Sequence, residues 1–117
     1  MPRQVSGEPY YRLTLDEAGE MYGDDDGVIV DVRRMDEYLE GHVKDAIFIT
    51  VDDILARIDE LPEDKKLLFI CAAGVRSGLA CEMAAAMGLD SERLFNIEDG
   101  TGPWIEKGLP SSTGMDA

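Results

Sequence analysis

The sequence predicts an α/β fold in which a parallel sheet is covered by helices on both faces. Three observations carry that prediction. Short apolar or β-branched runs at residues 28–33, 67–70 and 93–97 alternate with segments whose apolar residues recur at helical spacing. A chain of 117 residues, 44% of them hydrophobic, is enough for a single domain with one buried core. Finally, Cys71 stands at the end of one run, just before a small-residue loop and a helical pattern. The carboxyl ends of strands are where open α/β sheets bind ligands.

The elements follow in order. Residues 1–9 read as a loose, flexible leader and residues 10–13 as a short edge strand. Thr14 and Glu17 fit a capping box that opens a helix to about Tyr22. The run Gly23-Asp24-Asp25-Asp26-Gly27 ends it. Its aspartates lack the alternating spacing and closing glutamate of an EF-hand loop and read as a solvated turn. Residues 28–33 form the clearest strand, and residues 35–40 a short helix that stops at Gly41. His42 and Val43 lead into a strand at 46–49. Thr50 is placed to cap a further helix, with Ile54, Leu55, Ile58 and Leu61 as its apolar stripe and Pro62 as its end. After the strand at 67–70, a helix beginning near Ser77 carries Leu79, Ala80, Met83, Ala84 and Met87 on to Gly88. Residues 93–97 are the last strand. Pro103, Trp104 and Ile105 make a final helical turn, stopped by Gly108. Residues 110–117 read as a small, polar, mobile tail, leaving a core of about 10–110.

The loop from Cys71 to Arg76 has the composition of an anion site. Ala72, Ala73 and Gly74 let the backbone curl so that its N–H groups converge, and Gly74 tolerates positive φ. Val75 and Ser77 sit where the next helix begins, and a helix N-terminus adds partial positive charge. Arg76 brings a full one. Together these favour a thiolate at Cys71, the reactive form. Cys81 lies one helical turn inside an alanine-rich helix and reads as core packing rather than as a partner of Cys71.

Composition limits the partners. The chain carries 25 acidic against 11 basic residues, a formal net charge of −14. That argues against nucleic acid and against anionic membrane surfaces. Two cysteines make no disulfide framework, and the first residues hold no apolar signal segment, so the expected location is the cytoplasm. No apolar run approaches membrane-spanning length.

Four segments together resemble the single-domain rhodanese-like sulfurtransferases. Asp31-Val32-Arg33 resembles the family's D-V-R, and residues 37–43 its E-[YF]-x-x-G-H-[IV] signature. Residues 71–77 resemble its C-x-x-G-x-R-S loop. Asp99 through Trp104, with Gly108-Leu109-Pro110, resemble its closing glycine turn, tryptophan and G-[LF]-P. The resemblance implies a five-stranded parallel sheet in the order 1-5-4-2-3. It also implies a Cys71 nucleophile that takes the outer sulfur of thiosulfate or a persulfide and holds it as a persulfide. Residues 72–77 would bind the substrate. Cyanide, a thiol or a partner protein in a sulfur relay would accept the sulfur, with no metal or organic cofactor.

The chain departs from the pattern at Ala72 and Ala73, where many relatives carry a basic or polar residue. The expected preference for dianionic thiosulfate weakens accordingly. Asp45 stands at a usual glycine, and Asp99 replaces the first glycine of a common pair. Asp31, Arg33, Glu37 and His42 are expected to form a structural network near the site rather than to take part in chemistry. The alternatives are a cysteine-dependent phosphatase or arsenate reductase of the same fold, and a non-catalytic binding module. The six-residue loop from Cys71 to Arg76 argues against a phosphatase, whose loop is one residue longer.

Overall fold

The computed structural model describes residues 2–23 and 26–117; the centre of the acidic turn, Asp24 and Asp25, lies outside them, as does Met1. The described residues form seven strands: β1 (Tyr11–Leu13), β2 (Gly27–Asp31), β3 (His42–Val43), β4 (Ile47–Phe48), β5 (Lys66–Ile70), β6 (Leu94–Ile97) and β7 (Ser111–Ser112). The α-helices are α1 (Leu15–Tyr22), α2 (Met35–Glu40), α3 (Val75–Ala86) and α4 (Thr101–Glu106). Five strands make one sheet in the order β1-β6-β5-β2-β4, and every neighbouring pair is parallel. Counted along the chain, the strands of that sheet run 1-5-4-2-3, as expected.

β5 shows why the sheet is covered on both sides. Strand side chains alternate between faces. Leu67 and Phe69 therefore meet Val30, Leu94, Ala80, Ala84 and Ile54 on the α3 side. Leu68 and Ile70 meet Ile29, Ile97, Ala18 and Trp104 on the side of α1 and α4. These four residues of β5 are fully buried, and each such side chain contributes roughly 1.5–3 kcal/mol. Cys71 continues the alternation, so its side chain falls on the α3 face.

Local sequence determines several ends. Thr14 Oγ1 accepts from Glu17 N, and Glu17 Oε1 accepts from Thr14 N, the expected capping box. Pro103 occupies the first turn of α4, where its missing N–H is tolerated. α3 begins two residues before Ser77, because Gly74 takes φ +87° and acts as its N-cap.

Three expectations are corrected. Residues 51–61 form no α-helix; they make two 3₁₀ turns, Val51–Asp53 and Ile58–Glu60. In such turns residues i and i+3 eclipse. That puts the pairs Val51/Ile54 and Ile58/Leu61 against the core and leaves Leu55, expected on the apolar stripe, 47% exposed. The residues after Pro110, read as a loose tail, pair as β7 with β3 in an antiparallel ladder. The leader is also held: Arg3 and Arg12 exchange main-chain hydrogen bonds, and Arg3 bonds Glu98. Among the described residues, no helix is long and apolar enough to cross a membrane.

Candidate functional site

Cys71 follows directly on β5, at the carboxyl end of the sheet's central strand, and is only 1% exposed. The chain turns sharply after it. Gly74 N donates to Cys71 Sγ over 3.1 Å, and Ser77 Oγ lies 3.3 Å from the same sulfur. Burial pushes the Cys71 thiol up. Hydrogen bonds at the sulfur, among them those from the main-chain N–H groups of Ser77, Ala73 and Gly74, outweigh it, and the net effect is below the ordinary thiol value. Backbone N–H groups oriented in this way favour negative charge at the atom they face.

The loop's carbonyls at Cys71 and Gly74 have donors of their own, and that of Ala72 packs against Gly100. Thr101, at the start of α4, donates both its N–H (2.9 Å) and its hydroxyl (3.1 Å) to Cys71 O. Ala72 O lies so close to Gly100 that a Cβ there would sit 1.9 Å from it. Asn96 Nδ2 donates to Gly74 O over 3.0 Å. Asn96 Oδ1 in turn accepts from Ser77 Oγ over 2.5 Å. Asn96 and Thr101 escaped the sequence reading because their partners lie 19 to 30 residues away in the chain. A polar residue inside the apolar run Leu94-Phe95-Asn96-Ile97 is the signal that could have found Asn96.

Arg76 stands at the loop's end but does not face open solvent as a free cation. Its Nη1 and Nη2 donate to Glu37 Oε1 and Oε2 over 2.6 and 2.9 Å. The two side chains are 29% and 21% exposed, so this pair ties α3 to α2 in a half-buried setting. The Arg76 guanidinium, against the opposing effect of burial, brings the Glu37 carboxyl down to about 2.

Glu37 therefore leaves the network to which it was assigned. Asp31 and Arg33 form that network alone: Asp31 is fully buried and accepts from Arg33 N, Nε and Nη2, and Arg33 Nη2 also donates to Gly41 O. His42 is buried, stacks on Tyr38 with ring centroids 3.8 Å apart, and has its ring nitrogens against the carbonyls of Tyr38 and Asp116. Neither nitrogen is aimed at Cys71. Asp45 adopts φ +64°, the conformation that glycine would take most easily. Asp99 Oδ2 accepts from Leu15 N, which fixes its carboxylate at the start of α1.

Ala72, Ala73 and Val75 are exposed at the rim. Beside them runs a groove of about 530 Å³, floored by Gly74, Gly78 and Asn96 and walled by Val75 and Leu79. Cys81 is fully buried in α3, and burial, reinforced by Glu82 and Glu8, holds its thiol well above the ordinary value. Both cysteines are free. Among the described residues, no group of three or more His, Cys, Asp or Glu side chains is arranged to hold a metal ion.

Comparison with known proteins agrees with this geometry. A family model described as Rhodanese-like domain matches residues 14–107. A sulfurtransferase of Allochromatium vinosum is 31% identical over 74% of this chain and 78% of its own length. The thiosulfate sulfurtransferase GlpE of Actinobacillus pleuropneumoniae is 24% identical over 91% and 96%. Among solved structures, a protein of unknown function from Rhodopseudomonas palustris, described as a possible tyrosine phosphatase, superposes with a TM-score of 0.74 at 29% identity, covering 96% of this chain and 99% of its own.

Proposed function

The chain belongs to the rhodanese-like domain family, and on that premise we propose that it is a sulfurtransferase carrying a sulfane sulfur on Cys71. The observation that carries the reading is the Cys71 sulfur itself. It is buried at the end of β5 with Gly74 N–H aimed at it, in surroundings that lower its pKa.

The chemistry has two steps. The Cys71 thiolate attacks the outer sulfur of the donor, an S–S bond forms, and the donor's own S–S bond breaks. With thiosulfate the leaving group is sulfite, and with a persulfide it is the carrier's thiolate. The new terminal sulfur is anionic and is stabilised by the same N–H groups. In the second step an acceptor, cyanide or a thiol, attacks that outer sulfur and releases the Cys71 thiolate. The loop N–H groups of Ala73, Gly74 and Ser77 are the cradle for this atom in that reading. A cysteine only 1% exposed suits the transfer of one terminal atom rather than a bulky group. The two free cysteines suit a reducing compartment such as the cytoplasm.

The likeness to the Rhodopseudomonas protein favours a second reading, a cysteine-dependent phosphatase. Two features weigh against it. The loop spans six residues, and Arg76, the group a phosphate would need, is held by both oxygens of Glu37. Turnover decides between them. Purified protein given a sulfane donor and cyanide should release thiocyanate, and Cys71→Ser should not. Cys71-dependent hydrolysis of an aryl phosphate without thiocyanate formation would reverse the assignment.

A further inference from the structure

We propose that Glu37 sets the charge of the sulfur donor: by occupying Arg76 it takes the loop's own cation out of play, and the site favours persulfides on uncharged carriers over dianionic thiosulfate. This rests on the sulfurtransferase reading and adds the donor class and the residue that selects it.

Arg76 follows Val75 in the first turn of α3 and feels the charge of Cys71. Alone, it would attract an anionic donor. In the structure both of its outer nitrogens are spent on Glu37. Two further guanidiniums are also engaged. Arg34, whose Nε lies 3.9 Å from Glu37 Oε1, donates to Asp36. Arg12, in the groove beside the loop, is paired with Glu8 and Glu98.

The groove beside the loop offers aliphatic side chains and the carboxylates of Glu82 and Glu98, with no unpaired cation among its lining residues. Val75 is 79% exposed and Leu79 45%, and both wall the groove that runs from Ala73 and Gly74. An uncharged carrier can lie there without losing solvation of a charge. A sulfonate group would meet aliphatic carbon and paired arginines, on a protein of net charge −14. The persulfide step balances without a further reactant. Cys71 thiolate and carrier–S–SH give Cys71–S–SH and the carrier thiolate, and one S–S bond replaces another.

The test compares two donors, thiosulfate and the persulfide of N-acetylcysteine amide, by kcat/KM for loading Cys71. Wild type should favour the amide persulfide by about tenfold, the scale of one partly screened charge. Glu37→Gln keeps an oxygen for the Arg34 N–H that Glu37 now accepts, at 3.1 Å, and releases the Arg76 charge. It should raise kcat/KM for thiosulfate about tenfold, mainly through KM, and leave the amide persulfide nearly unchanged. Adding Arg76→Ala to that variant should abolish the gain. A wild type that prefers thiosulfate overturns the proposal, and so does a folded Glu37→Gln protein with an unchanged donor ratio. The wild-type ratio decides the matter even if the variant does not fold. If neither donor loads wild-type Cys71, the sulfurtransferase reading itself fails and the donor proposal falls with it.

Discussion

Asn96 and Ser77 are joined across the α3 face of the sheet: the Ser77 hydroxyl donates to Asn96 Oδ1 over 2.5 Å, while the Asn96 amide donates to Gly74 O over 3.0 Å. One buried side chain on β6 thus holds both the turn of the Cys71 loop and the first turn of α3. Asn96→Ala removes both bonds and leaves the Gly74 carbonyl without this donor. We expect a loss of about 1–3 kcal/mol in stability, the cost of stranding buried polar groups. Alkylation of Cys71 by iodoacetamide at pH 7 should slow several-fold in the folded variant, because the loop N–H groups lose their aim. An alkylation rate equal to wild type would show that the loop holds its shape without Asn96.

Gly100 makes a sharper case. It takes φ +90°, and a Cβ there would lie 1.9 Å from Ala72 O and 2.6 Å from the carbonyl carbon. The neighbour is backbone, so it cannot swing aside. Gly100→Ala should displace the Cys71 loop and abolish sulfur transfer, with a lower melting temperature. The neighbouring Gly102, whose Cβ position is open, should accept alanine with activity retained. Full activity in Gly100→Ala would contradict the close approach.

Arg76 links stability to pH through Glu37. Glu37 falls from an ordinary value of 4.5 to about 2 when paired. A depressed carboxyl contributes stability that is fully present above about pH 4.5 and lost as pH drops toward 2. Arg76→Ala should therefore cost about 1 kcal/mol at pH 7, as half-exposed pairs do. The gap between variant and wild type should narrow as urea midpoints are taken from pH 7 down to about pH 3. A gap that is constant across that range would mean the pair contributes nothing beyond packing.

Much of the fold was readable because its determinants are local. The capping box of Thr14 and Glu17 spans three residues, and the alternation of Leu67, Leu68, Phe69 and Ile70 lies within one strand. The cysteine, its small-residue loop and the following helix are likewise contiguous. The sheet order came from family resemblance, since nothing local orders strands. What could not be read were contacts between distant segments. Glu37 and Arg76 are 39 residues apart, and Glu37 looked closer to Arg33. His42 and Asp116 are separated by 74 residues, and their contact ties down a segment whose composition suggests a loose tail. The stretch at 51–61 misled for another reason: its apolar spacing of three and four fits an α-helix and two 3₁₀ turns equally well.

Cys81 separates packing from chemistry. It is fully buried on α3, and burial holds its thiol well above the ordinary value, which disfavours the thiolate. Cys81→Ala should retain sulfur transfer and cost roughly 1 kcal/mol, the scale of a small buried truncation. A hundredfold loss of turnover with unchanged circular dichroism would instead assign it a part in the reaction.

The most direct test of the account is the intact mass of the protein after incubation with a sulfane donor. Cys71 Sγ receives the Gly74 N–H at 3.1 Å and lies 3.3 Å from Ser77 Oγ, contacts that would hold a second, terminal sulfur if Cys71 carries one. Wild type should gain about 32 Da, one sulfur, as a persulfide. Peptide mapping should locate it on Cys71, and cyanide should remove it. Cys71→Ser should gain nothing, while Cys81→Ala should behave as wild type. A sulfur acquired by Cys71→Ser, or none acquired by wild type from any donor, would contradict the assignment of Cys71 as the sulfur carrier.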